Sequence, residues 1–461
     1  MNQTIKGMLV ATAALCTACA NSSQTASDTL TQSRPLSQQM VEAHGLGNFD
    51  CNRKHKDDLA TTGWDYVSGL VANAVLMTWQ QYPERTAYLD RVKAFADFSL
   101  SHDGTEIHKP NSSESALGES NLDDLAAGKI FFGLYDDAEA RHDTADAIKY
   151  RTAATVLRNR LKYNHARIPE GRKGAGGFFH KAQYPYQMWL DGLYMGAALY
   201  AQWQHYFGES EGHGNNIEAW SDIALQFKII HEFTYDADKQ LNYHAWSASP
   251  NDANSFWARK DAPHKGCSPE FWARGMGWYF AALVDVLEYM PQDHADYGAL
   301  RDILTQVAEG LKRWQDDETG LWYQLLQYDA SKTGDGIGDR VGGETYNKGD
   351  VANYLESSAS SMYAYAFLKA ARLGLLNREE YIAVGRKAYD GLLIHLVDYD
   401  EDMLCIKNIC ASAGLGPAKD KSRTGTANYY LCGHDVVITS NEGKAIGPFI
   451  MASLEFEKLQ Q

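Results

Sequence analysis

Asp317-Glu318-Thr319-Gly320-Leu321-Trp322-Tyr323 is one copy of a phrase that recurs along the chain: an acidic or glycine turn, then a short apolar and aromatic strand. The other copies are His102-Asp103-Gly104 leading to Ile107-His108-Lys109, Gly176-Gly177-Phe178-Phe179-His180-Lys181, Asp236-Ala237-Asp238 leading to Leu241-Asn242-Tyr243-His244, and Asp400-Glu401-Asp402 leading to Leu404-Cys405-Ile406. With Ile107, Phe178, Leu241, Leu321 and Leu404 as markers, the steps are 71, 63, 80 and 83 residues. Apolar residues at three- and four-residue spacing predict helices near 63–81, 84–101, 122–135, 143–161, 186–206, 216–233, 269–290, 295–315, 351–372, 378–396 and 444–457, with a shorter one near 37–45. Each step therefore holds two helices and one short strand. Helix pairs in series bury a common core. An open solenoid usually has more uniform repeats and polar caps, so the pattern favours a closed ring. The prediction is an all-α, (α/α)6 toroid with short β-strands in its loops, and a cleft among the loops at one end.

One such toroid accounts for residues 38–461 as a single domain. Residues 1–20 read as an export signal, with Lys6 before the apolar run Met8 to Leu15. Residues 21–37 read as a polar tether. Two cleavage readings stand open: a lipobox ending at Cys19, which would be acylated and anchor the chain to the membrane, or a small-x-small site at Ala18-Cys19-Ala20, which would release a periplasmic or secreted protein. Either way the protein is exported. The chain carries 43 Lys+Arg against 59 Asp+Glu, a net charge of −16, so it is a poor nucleic-acid binder. Five cysteines follow the signal, Cys51, Cys267, Cys405, Cys410 and Cys432, an odd number without a CxxC pair. Buried thiols are the safer reading, although Cys405 and Cys410 are close enough in sequence to pair.

Several chemistries are excluded. The stretch 334–349 has neither GxxxxGK[ST] nor a GxGxxG after a strand and reads as a long mobile loop. The run Asp398 to Asp402 starts like a calcium loop, but Met403 and Ile409 occupy positions that need Gly and Glu. HExxH and GxSxG are absent. No metal and no cofactor is expected.

Asp191 stands out in Tyr184-Pro185-Tyr186-Gln187-Met188-Trp189-Leu190-Asp191-Gly192. A carboxylate among apolar residues is costly to desolvate unless it is bonded or protonated. It could also simply favour a helix dipole, but the surrounding aromatics and Gly192, which permits close approach, favour a functional role. Asp123-Asp124 opens another helix, where one of the pair suits a cap. Arg274 and Trp278 share a helix face; guanidinium and indole suit an anionic sugar, or form a bland stacked surface pair. His180 and His244 end two of the recurring strands and so point to the same end of the toroid.

The motifs YPYQMWLDGLYM, FWARGMGWYFAALVDVLEYMP, NYLESSASSMYAYAFLKAARLG and AGLG…YYL…GPFIMASLE resemble those of the unsaturated rhamnogalacturonyl hydrolases of glycoside hydrolase family 105, related to the unsaturated glucuronyl hydrolases of family 88. The likeness runs from about residue 60 onward and implies an (α/α)6 barrel. It implies Asp191 as general acid and base, Asp123 assisting, and His180, Trp189, His244, Arg274, Trp278 and Tyr66 as substrate contacts. The implied substrate is an oligosaccharide bearing a C4=C5 unsaturated uronic acid next to rhamnose, from rhamnogalacturonan or ulvan. The implied chemistry is hydration: protonated Asp191 delivers its proton to C4, charge develops on C5 and the ring oxygen, and water adds at C5. For that role Asp191 should hold a proton near neutral pH, with Trp189 as an apolar wall and Asp123 as a neighbouring charge. Three other readings remain: an inverting glycosidase using Asp123 and Asp191, a polysaccharide lyase, and a non-catalytic sugar-binding lipoprotein.

Overall fold

The computed structural model describes residues 34–47, 63–335, 350–401 and 403–460. Outer and inner helices differ in how their apolar residues are spaced. In Tyr297–Arg313 the buried residues Leu300, Ile303, Leu304, Val307, Ala308 and Leu311 form one stripe, and the opposite face is solvated. In Ala273–Tyr289 every residue from Ala273 to Val284 is buried, as befits a helix covered on all sides.

The inner helices are Tyr66–Gln81, Ile130–Ala140, Ala198–Phe207, Ala273–Tyr289, Ser357–Arg372 and Gly443–Lys458. The second is entered through the 3-10 turn Leu122–Lys129, and the third through Leu190–Gly192 and Leu193–Ala197. Each packs on the next, and Gly443–Lys458 packs on Tyr66–Gln81, closing the ring. The outer layer is Leu36–Met40 with the turn Val41–Gly45, then Thr86–Ser99, Thr144–Asn159, His213–Thr234, Tyr297–Arg313 and Arg378–His395. The (α/α)6 toroid is thus the fold. Gly69 shows how tightly the inner helices meet: a Cβ there would lie 2.3 Å from the Cα of Ala127.

The recurring phrases form small antiparallel pairings. Leu241–Asn242 pairs with Tyr235–Asp236, and Met403–Ile406 with Val397–Asp400. Ile107 bridges Leu100, Phe178 bridges Arg167, and Tyr323 bridges Leu355. Two expected helices begin later than periodicity suggests, because distant strands claim their first residues. Gln187–Trp189 pairs with Ala245–Ser247, so the helix starts at Leu190. Val351–Ala352 pairs with Thr333–Gly334, so the next starts at Ser357. The short helix Ala427–Cys432 has no counterpart in the sequence reading.

Leu36 and Ser37, placed by sequence in the tether, belong to the fold. Leu36 and Ser37 are buried, and Ser37 donates from its backbone N–H and hydroxyl to Glu457, at 3.1 and 2.8 Å. The export signal, Cys19 and the tether up to Ser33 lie outside the described residues, as do Cys51 and most of 334–349. Cys267, Cys405, Cys410 and Cys432 are buried, and Cys405 and Cys410 form no disulfide with one another. Among the described residues no helix is long and apolar enough to cross a membrane.

Candidate active site

All six inner helices run the same way. Their first turns bring Tyr66, Asp123, Asp191, Arg274, Ser358 and Lys444 to one mouth of the ring. Deeper in the ring an axial cavity of about 200 Å³ is lined by residues such as Gln80, Gly133, Gln202, Glu288, Arg372 and Glu455. Helix N-termini carry the positive end of the backbone dipole, so the first mouth suits an anion.

Asp191 lies at the centre of that mouth. The strand Gln187–Trp189 delivers it into the first helical turn, where Leu190 N–H donates to the carbonyl of His244 at 3.0 Å. His244 is fully buried. Its Nε2 lies 2.9 Å from Oδ2 of Asp191, and its Nδ1 lies 2.6 Å from the hydroxyl of Tyr430. Burial pushes the Asp191 carboxyl up, but the nearby His244, its hydrogen bond, and His180 outweigh burial and hold it below the ordinary carboxylate range. This corrects the expectation of a raised value. Trp189 does supply the apolar wall, but the charge of Asp123 is engaged elsewhere: its Oδ2 lies 2.5 Å from Nζ of Lys181.

His180 lies between the two carboxylates. Its Nε2 is 3.8 Å from Oδ1 of Asp123, and its ring stacks on Trp189 at 4.3 Å, which stacks on Tyr184 at 5.1 Å. Burial pushes His180 down to about 4, so it stays neutral and cannot serve as the cation for a uronate. Gly192 keeps this arrangement compact, since a Cβ there would lie 2.8 Å from Leu122 Cδ1 and 3.3 Å from His180 Nδ1. Neither member of the tandem pair caps the turn, as expected of one of them: Asn121 is the cap, accepting from Asp123 N–H at 3.1 Å, and Asp124 accepts from Asn121 Nδ2 at 2.8 Å and Gly118 N–H at 3.0 Å.

Arg274 is buried, with Nη1 bonded to the Cys410 carbonyl at 2.5 Å and to Ser358 Oγ at 3.2 Å. Glu356 is its counter-ion at 3.8 Å. Trp278 is only 2 % exposed, one turn deeper than Arg274. It packs on Tyr194 at 4.8 Å and meets the edge of Tyr66 at 6.3 Å. The shared helix face therefore does not put both side chains at the surface; Trp278 backs Tyr66, which is the half-buried ring of the two. The surface-pair reading is set aside by the burial of both.

The ring thus brings together all the residues read from sequence as catalytic or substrate-binding. It adds Lys181, Glu356, Ser358, Tyr430 and the pair Lys444–Glu442, whose charged atoms lie 2.5 Å apart. Lys181 directly follows His180, and that adjacency was the available signal. The others come from helix starts and a late loop that no spacing connects to Asp191. Among the described residues no three His, Cys, Asp or Glu side chains are grouped to hold a metal ion.

The profile of glycosyl hydrolase family 88 matches residues 46–335 and 344–460. The chain belongs to that family. A solved family 105 glycoside hydrolase of C. acetobutylicum ATCC 824 is 33 % identical, with a TM-score of 0.73 over 92 % of this chain and 100 % of its own. Protein Atu3128 of Agrobacterium fabrum is 35 % identical over 54 % of this chain and 94 % of its own length. An unsaturated 3S-rhamnoglycuronyl hydrolase of Formosa agariphila is 24 % identical over 54 % of this chain and 57 % of its own. This protein is accordingly a glycoside hydrolase of the family 88 and 105 group.

Proposed function

We propose that this glycoside hydrolase removes a 4,5-unsaturated uronic acid from the non-reducing end of lyase-generated oligosaccharides, with rhamnose as the sugar that follows. The observation that carries the proposal is the carboxylate of Asp191. It is 13 % exposed, bonded to the His244 imidazole, walled by Trp189, and set where helix N-termini and Arg274 favour an anion. The similarity to an unsaturated rhamnoglycuronyl hydrolase supports rhamnose.

In this reading Arg274, with Lys444 nearby, attracts the uronate carboxylate, and Tyr66 stacks on the ring with Trp278 behind it. The arriving negative charge raises the proton affinity of the Asp191–His244 pair, which takes up one proton. Asp191 gives that proton to C4, and positive charge spreads over C5 and the ring oxygen. Water bonds to C5 and returns a proton to Asp191. The hemiketal opens at its C5–ring oxygen bond, and the hemiacetal left at C1 releases the remaining chain as an alcohol. Asp123 and His180 hold the water and sugar hydroxyls beside Asp191.

Incubation with lyase-generated and with saturated oligosaccharides tests this. Loss of the conjugated ultraviolet absorbance with the unsaturated substrate alone is the expected outcome, and Asp191→Asn should lower the rate about 10²–10⁴-fold. Cleavage of saturated chains would indicate an inverting glycosidase, a gain of absorbance a lyase, and unaltered substrate a binding protein. The enzyme would meet these oligosaccharides outside the cytoplasm, lipid-anchored at Cys19 or free in the periplasm. Detergent partitioning of the wild type against Cys19→Ser separates the two.

A further inference from the structure

The ring carries a buried polar chain that extends away from the carboxylate. Tyr430 comes from the short helix Ala427–Cys432, 186 residues beyond His244. It is buried, stacks on Trp272 at 5.9 Å, and its backbone carbonyl accepts from Gln324 Nε2 at 3.2 Å. Burial, with the neighbouring Tyr429, Asp191 and Glu270, holds its hydroxyl well above the ordinary phenol range, so the group stays a protonated donor. A hydroxyl 2.6 Å from Nδ1 of His244 must donate to it or accept from it. Donation places the imidazole hydrogen on Nε2, 2.9 Å from Asp191 Oδ2, where a carboxylate can accept it.

We propose that Tyr430 is a positioning residue: its hydroxyl fixes His244 as the Nε2–H tautomer, so that His244 donates to Oδ2 of Asp191 and the proton delivered to substrate is carried on Oδ1. The proposal rests on Asp191 as the general acid. The physical case concerns where one proton sits. When the pair holds a proton beyond the neutral imidazole and ionised carboxylate, that proton has two homes: Nδ1, giving an imidazolium beside a carboxylate, or Asp191, giving a neutral imidazole beside a carboxylic acid. Only the second state can protonate C4. A phenol hydrogen aimed at the Nδ1 lone pair stabilises the neutral imidazole and so favours the productive state. Removing it lets the proton settle on His244.

Charged and titratable groups reach the chain from several elements: His180, Lys181 and Asp123 on the Asp191 side, and Glu270, Tyr429 and Cys410 around Tyr430. Their titration would shift the pH dependence of wild type and variant alike, so the comparison between the two isolates Tyr430.

The first test needs no variant of Tyr430. In protein labelled with ¹⁵N-histidine, the His244 signal, assigned by its loss in His244→Gln, should show an unprotonated Nδ1 and a protonated Nε2 at neutral pH. A protonated Nδ1 overturns the proposal. In Tyr430→Phe the Nδ1 signal should move toward the protonated position. With the unsaturated substrate, kcat should fall about 10–100-fold while KM changes less than about twofold, and the alkaline limb of the kcat profile should move to higher pH, because the pair now holds its proton more tightly in the unproductive state. Unchanged kcat and pH profile in a variant that melts like the wild type would also overturn it. If the tautomer is as stated but Asp191→Asn remains fully active, the assignment of Asp191 fails while the hydrogen-bonded chain stands.

Discussion

Glu356→Gln tests whether Arg274 is kept charged by an internal counter-ion. Arg274 and Glu356 are at most 2 % exposed, with Nη1 and Oε1 3.8 Å apart. At an effective dielectric constant of ~20, unit charges at that separation attract by about 4 kcal/mol. Glu356 also accepts from Ser358 Oγ at 2.8 Å, Ala359 N–H at 2.7 Å and Cys410 N–H at 2.9 Å. Glutamine keeps the shape but loses the charge, and it turns an NH₂ group toward one of those N–H donors, which costs about 1–3 kcal/mol. Breaking a buried pair by removing one partner costs about 3–5 kcal/mol, so Tm should fall by roughly 5 °C. The guanidinium left behind then has a stronger need for an anion. Galacturonate should therefore raise the Tm of Glu356→Gln more than that of the wild type in scanning calorimetry. A variant that melts within about 1 °C of the wild type, or whose galacturonate-induced shift is no larger, refutes the counter-ion and with it Arg274 as the local cation.

His244→Gln should release Asp191 from the group that holds its carboxyl low, so that burial prevails and the acid persists to higher pH. The alkaline limb of kcat/KM should move upward, and a limb that stays or moves down would count against the pairing. Lys129 is buried, its Nζ lies 3.1 Å from the centre of the Tyr194 ring with no hydrogen-bond partner among the described residues, and burial pushes it down from 10.5 to about 7. Between those values the folded chain binds fewer protons than the unfolded one, so stability should rise with pH by up to ~1.4 kcal/mol per unit. Lys129→Met should lack that slope and melt higher than the wild type at pH ~7; a lower Tm would disprove it. Gly192→Ala should cost about 1–3 kcal/mol by overpacking and raise KM by tilting His180 on Trp189, as read by denaturant unfolding and steady-state kinetics. Unchanged stability and KM would show that Leu122 yields freely.

The repeat of helix pair and short strand was legible because both periods survive in the sequence, 3.6 along the amphipathic outer helices and a marker phrase between pairs. Asp191 was legible as well, since an acid amid apolar residues is locally anomalous. What local patterns missed was set by distant partners. Gln187 to Trp189 look helical by spacing and become a strand because Ala245–Ser247 lies alongside. Glu356 seemed to fall inside a helix running from 351; with that helix starting at Ser357, it becomes the N-cap residue that faces Arg274. The direction of the Asp191 shift was missed for the same reason, because burial can be inferred from neighbours in sequence whereas a histidine 53 residues away cannot. Trp278 was misplaced in depth: a shared helix face fixes direction around the axis, and says nothing about which turn reaches the mouth.

The seam between Leu36–Met40 and Gly443–Lys458 has a consequence for how the molecule comes apart. Glu457 accepts from Ser37 and also from the Tyr82 hydroxyl at 2.9 Å, tying Leu36–Met40 and the first inner helix to the last. Linear helical arrays fray from their ends, because a terminal repeat has only one neighbour. Sealed in this way, the ring has no terminal repeat, and amides of the first and last helices should exchange with solvent as slowly as those halfway round. Cutting the seam, by Glu457→Ala or by trimming the chain back past Ser37, would give the molecule an edge and let unfolding begin there.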